Sequence, residues 1–103
     1  MRCLWAEKCS DLSNFGVCLD VSHALLWVLP LEKWFDALNP HIRHMHINDS
    51  MLMEDDHLTL GEGKINYGFL KTDVVKNVES VLIEVNGLEA FEKSYSYLKE
   101  RIF

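Results

Sequence analysis

The sequence predicts an α/β fold built on a parallel sheet, and three observations support this. Short apolar runs alternate along the chain with stretches whose apolar residues recur at helical spacing. Residues 15–20 and 80–85 are nearly continuous apolar runs, as expected of strands that are buried on both faces of a sheet. Strands that alternate with helices form strand–helix–strand units, whose crossover connections make neighbouring strands parallel.

The first predicted elements are the end of a helix and a strand. Within residues 2–12 the apolar spacing fits the last turns of a helix that is already under way. Residues 15–20, FGVCLD, are a short apolar run that ends in an acid, and they predict a buried strand. Cys18 lies inside this strand, and we expect it to behave as a small buried hydrophobic residue.

A helix and a second strand follow. In residues 31–38, LEKWFDAL, apolar side chains recur at helical spacing, and Pro30 precedes them at a position that favours a helix start. Asn39 and Pro40 end this helix, because a proline disfavours helical backbone in the residue before it. Residues 41–47, HIRHMHI, are predicted to be the second strand.

The second half of the chain repeats the alternation. A long polar loop runs through residues 61–64, GEGK, and residues 65–78 predict an imperfect helix with a glycine near its front. Residues 80–85, SVLIEV, predict the third strand. Residues 88–102 predict an amphipathic helix. Its apolar side is predicted to carry Leu88, Phe91, Tyr95 and Leu98.

The composition excludes several classes of protein. The chain has 103 residues, of which 49% are hydrophobic and 25% charged, as is typical of a folded domain rather than a disordered chain. No apolar run approaches the roughly 20 residues that span a bilayer, and the first residues lack the apolar core of a signal peptide. The formal charge of −6 disfavours a nucleic-acid partner held by bulk charge.

The cysteines indicate the cellular location of the protein, and the small size of the sheet indicates the stability of the isolated chain. The three cysteines have no CxxC spacing, and without an export signal the reducing cytoplasm is the expected location. A three-stranded sheet leaves two open edges and has a small core. We therefore expect the isolated chain to be marginally stable or oligomeric.

Side chains of the types that bind metal ions lie at or just after the end of every predicted strand. In parallel strand–helix folds the carboxyl ends of the strands lie on one face of the domain, where functional sites are built. Residues two apart in a strand share a face, so His44 and His46 point the same way. A mixed set of carboxylates and imidazoles suits Zn²⁺, Mn²⁺ or Fe²⁺, and no thiolate site is predicted. The set consists of Asp20, His23, His44, His46, Asp55, Asp56, His57 and Glu84.

Each of these residues also has a simpler interpretation. Asp20 alone is as well explained as the cap of the turn that follows it, and a strand histidine such as His44 as a hydrogen-bonded support. EDDH, at 54–57, resembles an ordinary solvated loop. Glu84 is harder to explain in this way, because a carboxylate inside the apolar run VLIEV must be paired, coordinated or protonated. The coincidence of all of them at strand ends favours a metal site.

Four blocks of the sequence, in their order and spacing, resemble the xylose isomerase-like TIM barrels. The blocks are GVCLDVSHA at 16–24, HMHINDS at 44–50, DDHLTLGEGKI at 55–65 and LIEV at 82–85. That superfamily contains sugar isomerases, epimerases and the apurinic endonuclease called endonuclease IV. The resemblance implies an eight-stranded (β/α) barrel of about 250 residues. The chain, 1–103, is then a single C-terminal fragment with about the last three strand–helix units of such a barrel.

The resemblance to the isomerases and epimerases implies roles for individual residues. Asp20, His46 and Glu84 match three metal ligands of the family. Glu84 also matches the acid/base that works at the sugar carbon, and His23 matches a residue that contacts a substrate oxygen. For His44 we expect a supporting role or contact with substrate. The remaining metal glutamate of the family and the histidine ligands of its earlier strands have no counterpart in the chain.

The function implied by the resemblance is the isomerisation or epimerisation of a sugar or sugar phosphate. It would depend on a divalent metal ion such as Mn²⁺, Zn²⁺, Mg²⁺ or Co²⁺. We expect the fragment alone to be inactive, and its expected partners are the sugar substrate, a second copy of the chain, or a complementing N-terminal barrel half. No membrane partner is expected.

Two alternatives remain open. An endonuclease IV-like phosphodiesterase acting on abasic DNA would use His23, Asp55 and His57 to hold an additional zinc. A non-catalytic remnant or assembly partner would use none of these residues for catalysis. The acidic net charge, and the absence of lysine and arginine from SMLMED at 50–55, favour the isomerase over the endonuclease.

Overall fold

The computed structural model describes residues 12, 14–27 and 29–103, and they form an α/β structure with one sheet. Its three strands are parallel and lie in the order β1, β2, β3, which confirms the predicted fold class at the level of a parallel α/β sheet. The strands are β1 (Val17–Asp20), β2 (Ile42–Ile47) and β3 (Ser80–Ile83). The helices are α1 (Val21–Leu25), α2 (Leu31–Leu38) and α3 (Leu88–Tyr97). The helix end predicted within residues 2–12 lies outside the described residues except for residue 12.

Two helices connect β1 to β2. Helix α1 was not predicted, because five residues are too few to show a helical period. Helix α2 has the predicted bounds, and it buries Phe35, while the indole N–H of Trp34 donates to the carbonyl of Ala24 in α1 at 3.2 Å. No helix in the described part of the chain is both long and apolar enough to cross a membrane.

The predicted helix over residues 65–78 is wrong. Two short 3₁₀ helices, Tyr67–Lys71 and Asp73–Val75, stand in its place. Asn66 starts the first by accepting a hydrogen bond from the N–H of Gly68 at 2.9 Å. Thr72 separates the two with extended backbone, and its hydroxyl donates to the carbonyl of Phe69 at 2.7 Å. Side-chain hydrogen bonds to nearby backbone therefore compete successfully with a continuous helix.

The helix predicted over residues 88–102 exists, but its buried side differs from the prediction. The α-helix runs to Tyr97 and continues as a π-helical turn over Leu98–Ile102. Leu98 is buried as expected, with Ser94 and Ile102 beside it. The hydroxyl of Ser94 accepts a hydrogen bond from the N–H of Leu60 at 3.1 Å, which fixes this side toward the core. The other three predicted apolar positions are exposed, namely Leu88, Phe91 and Tyr95.

The two faces of the sheet have different surroundings. Leu19, Met45 and Ile47 are buried in a hydrophobic cluster that also contains Phe35 of α2 and Tyr67 of the first 3₁₀ helix. Toward the strand ends, the residues that alternate with them are exposed or partly buried, although Ile42 at the start of β2 is buried. These alternating residues are Cys18, Asp20, His44 and His46. The functional side chains therefore lie on an open face of the sheet, backed by a packed core.

Candidate metal centre

Strand register brings Asp20, His46 and Glu84 together. Asp20 at the end of β1 is paired with His46 on β2. The N–H of Glu84 donates to the carbonyl of Ile47 at 2.8 Å, which carries the pairing of β2 and β3 one residue past the end of β3. One ligand atom from each of the three side chains lies within 4.8 Å of the others. The structure thus gathers, at three adjacent strand ends, the three residues that the family resemblance matched to metal ligands.

The oxygen Oε2 of Glu84 fits a cation better than a protein donor. It is inaccessible to solvent and has no hydrogen-bond donor among the described residues. His46 Nδ1 lies 3.0 Å away, but the contact does not have hydrogen-bond geometry. Donor atoms that share a metal ion at about 2.0–2.2 Å lie no more than roughly 4.4 Å apart, so a slight contraction of this group would enclose an ion.

Asp20 both caps a helix and faces the site. Its Oδ1 accepts hydrogen bonds from the hydroxyl of Ser22 and the N–H of His23, each at 3.1 Å. Its Oδ2 lies 3.5 Å from Nδ1 of His23. The simple interpretation as a helix cap is therefore correct for Oδ1. Among the described residues, Oδ2 makes no capping hydrogen bond and lies beside the imidazole of His23.

Asp55 joins two histidines that are distant in sequence. Its Oδ2 lies 2.7 Å from Nε2 of His23, and its Oδ1 lies 2.9 Å from Nε2 of His57. The hydrogen bond from His23 holds the pKa of Asp55 below its usual value, and the same bond raises the pKa of His23. Burial lowers the pKa of His57, but the contacts with Asp55 and with the carbonyl of Glu84 outweigh it and raise that pKa overall.

His57 connects this group to Glu84. Its Nδ1 lies 3.3 Å from the carbonyl oxygen of Glu84 and 3.8 Å from Oε1 of the same residue. The backbone φ of His57 is +47°, in the left-handed region that residues with side chains rarely adopt. Such backbone is maintained only where the surrounding structure enforces it. Asp55 is exposed, as expected of a solvated loop, but Asp55 and His57 also make these contacts with the residues at the strand ends.

Asp56, the second aspartate of the EDDH sequence, has a different environment. Its Oδ2 accepts a hydrogen bond from the N–H of Met51 at 3.3 Å within the same loop. No contact with the three strand-end residues is found for it among the described residues. Asp56 shapes the loop and is not brought into the site.

His44 lies on the same face as His46, as predicted, with the two ring planes at 88° and the centroids 5.0 Å apart. Its Nδ1 is 2.7 Å from the hydroxyl oxygen of Ser80 and 3.1 Å from the Ser80 carbonyl oxygen. Ser80, on β3, is the register partner of His44. The ring of His44 is therefore held by the neighbouring strand.

Cys18 is exposed, so the prediction of a buried hydrophobic residue is wrong. It lies two residues before Asp20 on β1, so both side chains are on the open face. Its sulfur and one ring nitrogen each of His44 and His46 lie within 4.8 Å of one another. Partial burial, and then the charges of Asp20 and Glu84, raise the pKa of the Cys18 thiol. The two-residue spacing from Asp20 is the sequence signal that could have placed Cys18 on this face.

Asp49 was not recognised as a site residue from the sequence. It is 1% exposed, and its carboxylate accepts hydrogen bonds from the N–H groups of Ser50, Gly61 and Ile65 at 2.9, 2.8 and 3.1 Å. Its backbone also pairs with Leu58. Asp49 thus ties together both ends of the loop that carries Asp55 and His57.

The GEG sequence fits closely around Asp49. Gly61 has a φ of +96°, and a Cβ at Gly63 would collide with Oδ1 of Asp49 and come within 2.6 Å of the N–H nitrogen of Ser50. These glycines allow a turn and a close approach of the backbone to a carboxylate. The sequence likewise favoured a turn over a phosphate-binding loop at this position.

Comparisons with known proteins agree with this geometry. The sequence profile of the family described as xylose isomerase-like TIM barrel matches residues 5–101. Two uncharacterized proteins of Methanocaldococcus jannaschii are similar to the chain. One is 33% identical over 81 residues, which cover 79% of the chain and 32% of that protein, and the other is 29% identical over 98 residues, covering 87% and 32%. The chain thus spans about a third of the length of these relatives. No solved structure gives a significant match.

Proposed function

The chain belongs to the xylose isomerase-like TIM barrel family, and we propose that it forms part of a metal-dependent sugar or sugar phosphate isomerase or epimerase. The observation that carries this proposal is the group of Asp20, His46 and Glu84 at three adjacent strand ends, with ligand atoms within 4.8 Å. Two carboxylates and one imidazole suit Mn²⁺, Zn²⁺, Mg²⁺ or Co²⁺.

The proposed chemistry is proton transfer at a sugar carbon. A divalent ion in this site would polarise the sugar carbonyl and acidify the neighbouring C–H. Glu84 is the residue of the chain proposed to remove or return that proton, because its carboxylate lies at the strand end, toward the open face. His57 Nδ1 lies 3.8 Å from Oε1 of Glu84. The imidazole of His57 is therefore a neighbour that can hold or supply a proton.

Two histidines are proposed to contact substrate oxygens. His23 has a side chain that is 51% exposed and lies between Asp20 and Asp55. His44 has one ring nitrogen engaged with Ser80, which leaves the other for substrate. An imidazole has at least one N–H in either protonation state, so both side chains can hydrogen-bond to sugar hydroxyls.

The proposal concerns a complete barrel. Because the chain spans about a third of its relatives, the second acid/base and the remaining metal ligand are proposed to come from other strands. These strands would belong to an N-terminal barrel half or be replaced by contacts in an oligomer of the chain. We propose that the 103-residue chain alone is inactive and that the assembled enzyme works in the cytoplasm.

The test is exchange of the substrate C–H proton with solvent. The complete barrel containing this chain is incubated in deuterated water with divalent metal and candidate ketoses or ketose phosphates. We expect deuterium at the carbon beside the carbonyl, and we expect the substitution Glu84→Gln to abolish it. Glu92→Gln, the same change on the exposed surface of α3, is the matched control and retains exchange. Exchange that survives Glu84→Gln would contradict the proposal.

A second candidate function is endonuclease IV-like cleavage of abasic DNA by zinc ions. The observation that favours it is the pair of contacts from Asp55 to His23 and His57, which joins the three residues implied for an additional zinc. Three zinc ions per complete barrel together with cleavage of an abasic duplex would support it. About one ion and sugar epimerisation would support the isomerase instead.

A third candidate is a non-catalytic remnant or assembly partner. It predicts neither proton exchange nor cleavage of abasic DNA in any assembly that contains the chain.

A further inference from the structure

We propose that Cys18, His44 and His46 form a second metal position on the open face, a thiolate–imidazole site for Zn²⁺ or a similarly soft divalent ion. It shares His46 with the centre proposed above, but it requires neither a sugar substrate nor Glu84. Because a neutral imidazole binds one ion, His46 serves one position at a time. The two positions would select different ions, because one is rich in carboxylate and the other contains sulfur.

Strand pairing places the three ligands. Cys18 on β1 is the register partner of His44 on β2, and His46 is two residues further along β2 on the same face. The sulfur and one nitrogen of each histidine lie within 4.8 Å of one another. The backbone positions of the three residues are fixed by the hydrogen bonds of the sheet and not by a loop.

The orientation of His44 is an independent observation that points to a ligand. Metal-binding histidines commonly donate the N–H of one ring nitrogen to a nearby oxygen, which directs the lone pair of the other nitrogen to the ion. His44 Nδ1 has such partners in the hydroxyl and the carbonyl of Ser80, at 2.7 and 3.1 Å. With the proton on Nδ1, Nε2 is the nitrogen that is free to bind. His44 would hold this ion in place of the substrate contact proposed above, so the second position forms in the absence of sugar.

The ligand set suits a particular class of ion. Zn²⁺ binds cysteine sulfur and histidine nitrogen in tetrahedral sites, and three protein ligands leave the fourth position to water or another small ligand. Mg²⁺ and Mn²⁺ prefer oxygen donors and are expected at Asp20, His46 and Glu84 instead. Binding at Cys18 releases the thiol proton, so the sulfur enters as a thiolate.

Co²⁺ is the probe that reports sulfur ligation, because a thiolate bound to Co²⁺ gives a near-ultraviolet charge-transfer band that nitrogen and oxygen ligands do not give. The experiment uses the full 103-residue chain with Cys3→Ser and Cys9→Ser, which leaves Cys18 as the single cysteine. We expect the band in this background and its loss on Cys18→Ser. We expect the band to remain in Glu84→Gln.

Two further variants make the test quantitative. Ser80→Ala removes the hydroxyl that holds His44 and is expected to weaken Co²⁺ binding by about 10–100-fold, as for loss of other partners of metal-binding histidines. Thr72→Ala, which removes a hydroxyl that donates to the carbonyl of Phe69, is the matched control. Circular dichroism and Mn²⁺ binding verify that Cys18→Ser remains folded and keeps the carboxylate position.

The outcomes separate this inference from the proposed function. A band that is absent in the single-cysteine background, or that survives Cys18→Ser, would overturn the second position. A band lost equally in Glu84→Gln would place sulfur and carboxylate on one ion and would also overturn it. Loss of Mn²⁺ binding in Glu84→Gln, with the Co²⁺ band retained, would support both positions independently.

Discussion

His23 Nε2 lies 2.7 Å from Asp55 Oδ2, across 32 residues of sequence. This contact joins helix α1, capped by Asp20, to the loop after β2. The same carboxylate holds His57, which reaches the backbone of Glu84. Asp55 thus links, directly or through His57, the segments that follow all three strands. The side chains of the candidate site therefore form one continuous network of contacts.

The first prediction concerns the protonation of this group in the metal-free chain. The pKa of His23 is raised above 6.5 by its hydrogen bond with Asp55. The stabilisation of the fold by protonated His23 is therefore complete below pH 6.5 and is lost as the pH rises through the raised pKa. The pKa of Asp55 is lowered below 3.8, so its contribution is complete above that value and is lost as the pH falls through the lowered pKa. The contact therefore stabilises the fold most between these two limits.

Asp55→Asn removes the negative charge and is expected to move the titration of His23 back toward 6.5. NMR of the His23 ring as a function of pH measures the change. Asp36→Asn, at an exposed position of α2, is the control and should leave the titration of His23 where it is. An unchanged His23 titration in Asp55→Asn would show that the contact does not form in solution.

A second prediction concerns Asp49. Asp49→Ala removes the acceptor of three backbone N–H groups, and leaving buried donors without partners costs about 1–3 kcal/mol each. Because some of these donors can regain water, we expect a loss of roughly 3 kcal/mol in the free energy of unfolding. Urea denaturation measures it, with the exposed Asp36→Ala as the control. A loss within about 0.5 kcal/mol would indicate an ordinary surface position.

A third prediction concerns the close approach at Gly63. Gly63→Ala places a Cβ against Asp49 Oδ1 and 2.6 Å from Ser50 N, so the loop must shift, which we expect to cost about 1–3 kcal/mol. At Gly68 an added Cβ meets only Asn66 Oδ1, at 3.1 Å, so Gly68→Ala is the milder comparison. Thermal unfolding of the two variants gives the comparison. Equal midpoints would mean that the loop packs less closely around Asp49 than described.

The sequence was sufficient to predict the parts of the structure that depend on pattern. The apolar runs located all three strands, and the helical spacing located α2 with its bounds. The two-residue period of strands placed His44 and His46 on one face. The family resemblance then selected Asp20, His46 and Glu84 from a larger number of acids and histidines.

Features that depend on tertiary contacts were not predictable in this way. Cys18 has apolar neighbours in sequence, yet it faces the open side of the sheet, because strand alternation alone does not indicate which face is covered. In the sequence, Asp49 is one polar residue of a polar loop. Its role in holding that loop follows from N–H donors that are up to 16 residues away. The buried side of α3 is set by the hydrogen bond from Leu60 to Ser94, which a helical period does not encode.

The most direct test of the account is the binding of Mn²⁺ to the 103-residue chain and to three variants, measured by calorimetry or by the free-ion electron paramagnetic resonance signal. We expect one ion per chain in the parent at the group of Asp20, His46 and Glu84. Asp20→Asn and Glu84→Gln should each weaken binding at least about tenfold, and Glu92→Gln should leave it unchanged. Equal Mn²⁺ affinity in the parent, Asp20→Asn and Glu84→Gln would contradict the central claim that these strand ends form a metal centre.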